Sequence, residues 1–513
     1  MISLAFIPLY IQYLGIESYG LIGFFTTLQA WLLLLDLGLS PALNREMARF
    51  SAGAVCGDAI RALLRSTEVI YVASGCLIAL FVAVLSPLIA GYWLRPEALS
   101  PATVAHAVGL MGLVVSLQWM ANLYRGALLG LQHQVWLSAA GAVAVTVRSG
   151  GAVLVLAFID PTITAFLYFQ CVASAAESLV MGWYLRRKLP RQASPRFSLG
   201  ALRTIAGFAA GLSIAMLLAT LLTQLDKLLL ARLLPLGQFG YFALAVTVSS
   251  SLSVLITPLS NVAFPRLSEM VAARDDTALS QQYHRFAQLL SIGLLPPALV
   301  LCLFSERVVF LWTGDIVTTQ AVAPLLSIWV VGTALNGLMH LPHAAQLAHG
   351  WPRLSAILNT VAVLLMVPAL LIFVPRYGAV AAAWIWVAIN AGYIIFGIAT
   401  MHTRILLNEK WSWYGQDTLA PLAGGTAAAA MMWLMHSGAD SMSRIQEAGF
   451  IASGTLIVTI ATAVAAPLGR EYLYSVASGR ISGWKRCRSA NERVGATAIS
   501  THEQQRGSGT DAA

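Results

Sequence analysis

Long apolar runs alternate with short polar breaks from the first residue to about residue 467. Fourteen runs can be drawn, at about 1–14, 20–43, 67–93, 103–129, 135–159, 161–185, 205–232, 239–262, 285–312, 321–348, 354–374, 379–401, 416–436 and 448–467. All but the first are long enough to cross roughly 30 Å of hydrocarbon as a helix. They lack the two-residue alternation of a barrel strand, and backbone polar groups in lipid must be satisfied within the segment, so the pattern predicts membrane helices. No polar stretch between them is large enough for a soluble domain. Past the last run the chain turns basic and then polar, which predicts a short interfacial helix near Tyr472–Trp484 followed by disorder.

Polar positions inside the runs are sparse and spaced. Gln118, Asn122 and Arg125 stand at i, i+4 and i+7, and so do Asn336, His340 and His343, so each triplet predicts one polar face on an otherwise apolar helix. An offset of 218 relates the two triplets. An offset of 220 lays Leu14–Gly20 on Leu234–Gly240 and Ser40 on Ser260. Segments 1–6 and 7–12 therefore predict two related six-helix lobes. Their even spacing predicts a parallel repeat, with its axis along the membrane normal. The expected organisation is an N-terminal lobe over 1–190, a basic linker over 191–204, a second lobe over 205–405, two extra helices over 406–470 and a tail over 471–513. The repeat also puts the start of the first helix about fifteen residues before Met1, so that helix is expected to be truncated, for which an upstream start codon is one explanation; the alternative is a naturally short or tilted first segment.

Composition sharpens the class. The chain is 58% hydrophobic and 10% charged, against about 25% charged in an ordinary soluble domain, which excludes a soluble globular protein. A net charge of +9 would suit nucleic acid, but the basic residues sit in short loops between apolar runs. Seventeen Lys and Arg lie in even-numbered loops and seven in the tail, against five in odd loops. That bias predicts even loops and both termini in the cytoplasm, and no nucleic-acid partner. The first residues show no signal-peptide pattern. Five cysteines without paired spacing point to free thiols, with neither a disulfide framework nor a metal site, and no cofactor is expected.

Charges inside the runs carry the candidate chemistry. An arginine at the bilayer centre costs about 2.5 kcal/mol or more, so Arg148 is expected to face protein or water. Gly141, Ala144 and Gly151 share its face, which predicts room for a bulky ligand. Two readings stand: a ligand for pyrophosphate through paired guanidinium donors, or an ion pair with Glu177 of the next helix. Asp226 and Lys227 are sequence neighbours and are expected on different flanks; Lys227 either attracts sugar phosphate or snorkels to the interface. Asp226, Glu177 and Asp36 are the candidates for a coupling ion, with Asp36 alternatively pairing with Arg45 at a helix end. His340 and His343 lack an accompanying Cys or carboxylate cluster, so cavity lining is expected of them and not zinc.

Ile7–Gly20 (IPLYIQYLGIESYG), Leu35–Ser40 (LDLGLS) and Asn44–Glu46 resemble the opening of polysaccharide-biosynthesis flippases. Gln224–Leu230 (QLDKLLL) with Phe239–Ala245 (FGYFALA) resembles the start of their second lobe. The resemblance is to Wzx-type O-antigen and exopolysaccharide exporters of the multidrug/oligosaccharidyl-lipid/polysaccharide (MOP) superfamily. It implies an all-α membrane fold of two six-helix lobes around a central cavity. It also implies alternating access that moves an undecaprenyl-pyrophosphate-linked glycan across the inner membrane, with a polysaccharide polymerase and chain-length regulator as partners. Two alternatives remain at this point. A drug or metabolite cation antiporter of the same superfamily would favour an acidic cavity, whereas the polar faces here hold Arg125 and Arg148. A membrane polymerase, ligase or glycosyltransferase would call for a sizeable periplasmic loop, and the longest odd loop is about Ser305–Gln320.

Overall fold

The computed structural model describes residues 2–32, 36, 38–190, 197–200, 202–203, 205, 224–437 and 443–477. Helices account for nearly all of them, and no strand occurs among the described residues. In chain order these are α1 (Ile7–Leu32), α2 (Leu39–Ser51), α3 (Gly57–Leu88), α4 (Pro101–Gly130), α5 (Gln134–Phe158) and α6 (Ile163–Lys188). A helical stretch at 224–233 precedes α7 (Leu236–Ser250), α8 (Ser253–Ala273), α9 (Asp276–Leu303), α10 (Ser305–Thr313), α11 (Ile316–Leu338) and α12 (His340–Ala348). Last come α13 (Arg353–Gly392), α14 (Lys410–His436), α15 (Arg444–Ala465) and α16 (Pro467–Ala477).

The helix starts follow local chemistry. Ser100 and Thr162 cap α4 and α6 by accepting from the backbone N–H of Thr103 and Ala165, and Ser443 forms a capping box with Gln446 at α15. Ahead of α11 the Thr318 side chain, then the backbone N–H groups of Thr318 (2.9 Å) and Val317 (3.3 Å), bond Asp315 and hold its carboxyl below the usual range.

Among the described residues nine helices are long and apolar enough to cross a membrane, or ten if α7 and α8 together form one broken span. Fewer than the expected fourteen are counted, because a kinked helix counts once and most of segment 7 lies outside the described residues. Segments 1 and 2 are two helical pieces of α1 that meet at a kink at Gly15, whose φ of 76° glycine adopts without strain. Segments 11 and 12 are likewise two helical pieces of α13 that meet at a kink at Gly378. Segment 2 also stops short of residue 43, since α2 is a separate helix with charged residues on one side. Most of segment 7 lies outside the described residues, as do Thr220, Thr223, Arg191, Arg196, Cys487 and the tail from 478 onward. The interfacial helix expected near Tyr472–Trp484 begins earlier, as α16.

The chain divides into two compact units. The first comprises residues up to 253, 304–336 and 352–397, the second 254–303, 337–351 and 398 onward. In the first unit α4 packs against α2, α3 and α6, and α5 packs against α6. Phe242 of α7, Trp329 of α11 and Trp386 of α13 join in one aromatic cluster, with ring centroids 5.0 and 5.4 Å apart. In the second unit α9, α14 and α15 pack on one another.

The sequence repeat reappears as a contact. Gly20 of α1 lies against the carbonyl of Leu236, and Gly240 of α7 lies against the carbonyl of Ile16, so a side chain on either glycine would collide with backbone. Between them, a Cβ added to Gly23 would sit 2.7 Å from that of Ala243. Each pair is related by the same 220-residue offset with partners exchanged, which is the signature of a two-fold axis between α1 and α7. Thr27 and Thr247, again 220 apart, bond the carbonyls of Gly23 (3.2 Å) and Ala243 (2.7 Å) within their own helices. Small residues allow this backbone approach, the way helices associate in lipid.

Candidate functional site

A cavity of about 320 Å³ opens in the first unit, walled by α1, α4, α5 and α6. Its polar residues are Thr26 and Gln29 of α1, Gln118, Asn122 and Arg125 of α4, Arg148 of α5 and Glu177 of α6. The first triplet thus lies on one wall of one cavity, as its helical spacing requires.

Glu177 is the centre of the charge arrangement. One carboxylate oxygen accepts from Nη2 of Arg125 and the other from Nη2 of Arg148. Its side chain is 5% exposed, against 45% for Arg125 and 23% for Arg148. Two guanidinium groups, one on α4 and one on α5, therefore share one buried carboxylate on α6, and the cluster keeps one positive charge. Below them Gln29 donates to the amide oxygen of Gln118, whose own Nε2 reaches Ser174 Oγ at 3.4 Å. The Asn122 carbonyl accepts from Ser40 at 3.2 Å, tying α2 to the same wall.

Other expectations meet a different geometry. Gly151, expected to leave room beside Arg148, is packed against the Phe169 ring of α6, which fills the space a side chain would take; Gly141 is open. Asn336 donates to Asn390 of α13 at 2.8 Å and is not among the cavity's lining residues. The second triplet runs along one continuous span, Ile316–Ala348, since Met339 between α11 and α12 keeps right-handed helical backbone. His340 and His343 belong to the second unit, where both are exposed. Asp226 and Lys227 do not stay on separate flanks. The lysine chain is long enough to fold back, placing Nζ 3.5 Å from Asp226 Oδ1. Asp36, buried, accepts from the Tyr71 hydroxyl of α3 and from the backbone N–H of Ser40 at 3.3 Å. No group of metal-ligating side chains occurs among the described residues.

The second unit holds a polar cluster that sequence reading passed over. His284 of α9 bonds Asp417 of α14 through Nδ1 and Glu409 through Nε2 (3.1 Å). Gln288 donates to the other Asp417 oxygen at 2.8 Å, and Ser280 donates to Glu409 at 2.7 Å. Asp417 is fully buried.

Three comparisons bear on what this architecture belongs to. A family model described as "Polysaccharide biosynthesis protein" matches residues 13–317, more than half of the chain and the whole of the cavity. A Shigella flexneri protein named "Putative O-antigen transporter" is 19% identical over 373 residues, 73% of this chain and 87% of that one. The lipid II flippase MurJ, in an inward closed conformation, superposes with a TM-score of 0.66 at 12% identity, covering 90% of this chain and 96% of its own. An inward-facing multidrug-resistance MATE transporter of the MOP superfamily gives 0.64 at 16%, covering 80% and 95%. At such identities the structural likeness speaks for the fold alone. The family match makes this chain a member of the polysaccharide biosynthesis protein family, a multi-span membrane protein with the fold seen in these flippase and MATE structures.

Proposed function

We propose that the protein flips an undecaprenyl-pyrophosphate-linked oligosaccharide across the inner membrane by alternating access, for O-antigen or exopolysaccharide assembly. The observation that carries this reading is the pair of arginines sharing Glu177 at the cavity wall. A pyrophosphate entering the cavity competes with that carboxylate for guanidinium donors already aimed inward, and Arg presents them in pairs suited to phosphate oxygens. Glu177 in turn keeps the two cations from repelling each other while the cavity holds no anion. Gln29, Gln118 and Asn122 supply amides of the kind that bond sugar hydroxyls. Release follows when the carboxylate reclaims both guanidinium groups.

A cation antiporter is the weaker reading, because the lining holds one carboxylate against two guanidinium groups. The Lys and Arg bias favours both termini in the cytoplasm. A polymerase and a chain-length regulator would then receive the glycan on the far side.

The test is surface glycan and membrane abundance in Arg148→Ala and Arg148→Lys strains. Glu177 keeps Arg125 in the first variant, so abundance should stay near normal. Export should fall at least about tenfold, the equivalent of a lost charge-assisted hydrogen bond at about 1.5–3 kcal/mol. The lysine variant keeps the charge without the fork and should export an intermediate amount. Normal export by a stable Arg148→Ala protein would remove the binding role.

A further inference from the structure

A second cavity in the first unit has no part in the site above. It is a cleft of about 430 Å³ with α4 as its floor and α3 and α6 as its walls. Its lining is overwhelmingly apolar, and it is concave because the wall residues are small: Gly75, Cys76 and Ala79 on α3, Ala175 and Ser178 on α6. Leu179 and Arg186 also border an adjoining hollow with Trp183 and Arg187, so the cleft runs into a basic mouth at the end of α6.

The mouth is built. Arg186 donates through Nη2 to Glu68 (2.7 Å) and to the Tyr124 hydroxyl (3.1 Å), which fixes its place while its side chain remains 54% exposed. Arg187 stacks on the Trp183 ring at 4.1 Å, and Lys188 lies over Tyr184 at 5.3 Å. Neither Arg187 nor Lys188 has a carboxylate partner among the described residues, so the cations outnumber the single acid, Glu68. Aromatic rings carrying cations mark the depth where hydrocarbon gives way to headgroups. A groove that is apolar along its length and cationic at that depth matches a molecule with one acyl chain beside one anionic headgroup.

We propose that the α3–α4–α6 cleft binds an anionic glycerophospholipid of the surrounding bilayer, one acyl chain in the cleft and its phosphate held by Arg186 and Arg187. The bilayer supplies glycerophospholipid in excess, so mass action favours such an occupant, and the cations at the mouth select an anionic headgroup. Bound there, the lipid wedges between α3 and α6 and fills a void against α4. This site is independent of the cavity around Glu177: no residue lines both.

Cys76 lies in the cleft wall and is exposed, which gives the site its own reporter. The experiment uses the full chain with Cys56, Cys171, Cys302 and Cys487 replaced by Ser, reconstituted in dioleoyl-phosphatidylglycerol or dioleoyl-phosphatidylcholine vesicles. The rate of Cys76 modification by a membrane-soluble maleimide is read in each. One cation at a membrane surface is worth about 1 kcal/mol toward an anionic lipid, so modification should be about fivefold slower in phosphatidylglycerol. Arg187→Gln, which breaks no ion pair, should erase most of that difference. Leu80→Cys with Cys76→Ser reports a lipid-facing position on the same helix outside the cleft and should react equally in both lipids. Equal rates at Cys76 in the two lipids overturn the proposal. So does a difference that survives Arg187→Gln, or one shared by Leu80→Cys.

Discussion

Two buried carboxylates, one in each compact unit, are built from opposite chemistry. Glu177 sits between Arg125 and Arg148, whose charges are permanent. Asp417 sits between His284 and Gln288, and its histidine is shared with a second acid, Glu409. The first cluster has more cation than anion and borders a cavity; the second has more anion than cation, with Asp417 sealed from solvent. A permanent surplus of positive charge next to open volume suits exchange of one anion for another. A carboxylate pair bridged by imidazole suits gain or loss of a proton, since histidine is the side chain that titrates near neutrality. The difference also follows the family match: residues 13–317 contain all of the first cluster, but of the second only α9's contribution.

The sharpest way to break this comparison is to remove the shared acid. Glu177→Ala leaves two guanidinium groups facing each other with no counterion. Arg125 is 45% and Arg148 23% exposed, so the cost should fall below the roughly 3–5 kcal/mol of a fully buried pair, with membrane abundance and thermal stability in detergent clearly lowered. Adding Arg125→Ala should recover part of the loss by removing one of the stranded cations. A Glu177→Ala protein as stable as the parent would show that the clamp does not form.

A smaller loss is expected from His284→Ala. Asp417 would keep Gln288, and Glu409 would keep Ser280, so each acid retains one donor. The cost should be about 1–3 kcal/mol, that of a buried polar group left short of a partner. His284→Gln keeps a donor and should lose less. If thermal melting places His284→Ala below Glu177→Ala, the ranking of the two clusters is reversed and the distinction between permanent and titratable counterions fails.

Much of this was legible in the sequence, for physical reasons that also mark where reading stops. Hydrophobic run length dictates helices in lipid, so the all-α membrane fold followed directly. Helical spacing put Gln118, Asn122 and Arg125 on one face, and the cost of intramembrane charge made a pair with Glu177 one of the two readings of Arg148. The repeat told which residues correspond, and Gly20 and Gly240 turned out to touch each other's helices. Three things escaped. Run length cannot say where a span ends when, as after Leu32, the next helix is short and carries charge. Polar spacing cannot tell that Arg125 turns toward Glu177, because pairing with another helix depends on packing. Ser280, His284 and Gln288 fall at i, i+4 and i+8, the same kind of signal as the triplets, but they lie at the edge of an apolar run where polar residues draw no notice.

The smallest expected effect concerns the uncharged part of the first cluster and tests whether its amides belong to the clamp or to the ligand. Gln29 donates to Gln118, and Gln118 donates onward to Ser174. A neutral side-chain hydrogen bond contributes about 0.5–1.5 kcal/mol net. Gln29→Ala and Gln118→Ala should therefore each lower stability by about 1 kcal/mol or less, near the floor of a melting measurement. Their coupling in a double-mutant cycle should be positive but small, because the two side chains are in contact. Export tells the two roles apart. If the amides only brace the wall, each variant should export in proportion to its abundance. If they bond sugar hydroxyls, export per molecule should fall several-fold while melting hardly moves, and the double variant should be worse than either single. The comparison predicts the second pattern: a permanent charge cluster holds the anion, and the neutral residues beside it are left to read the glycan. Variants of Gln288, the matching amide beside Asp417, should instead lose stability, since its two ends bond Asp417 and the backbone N–H of Leu468 at 2.8 Å each and leave nothing over for a ligand.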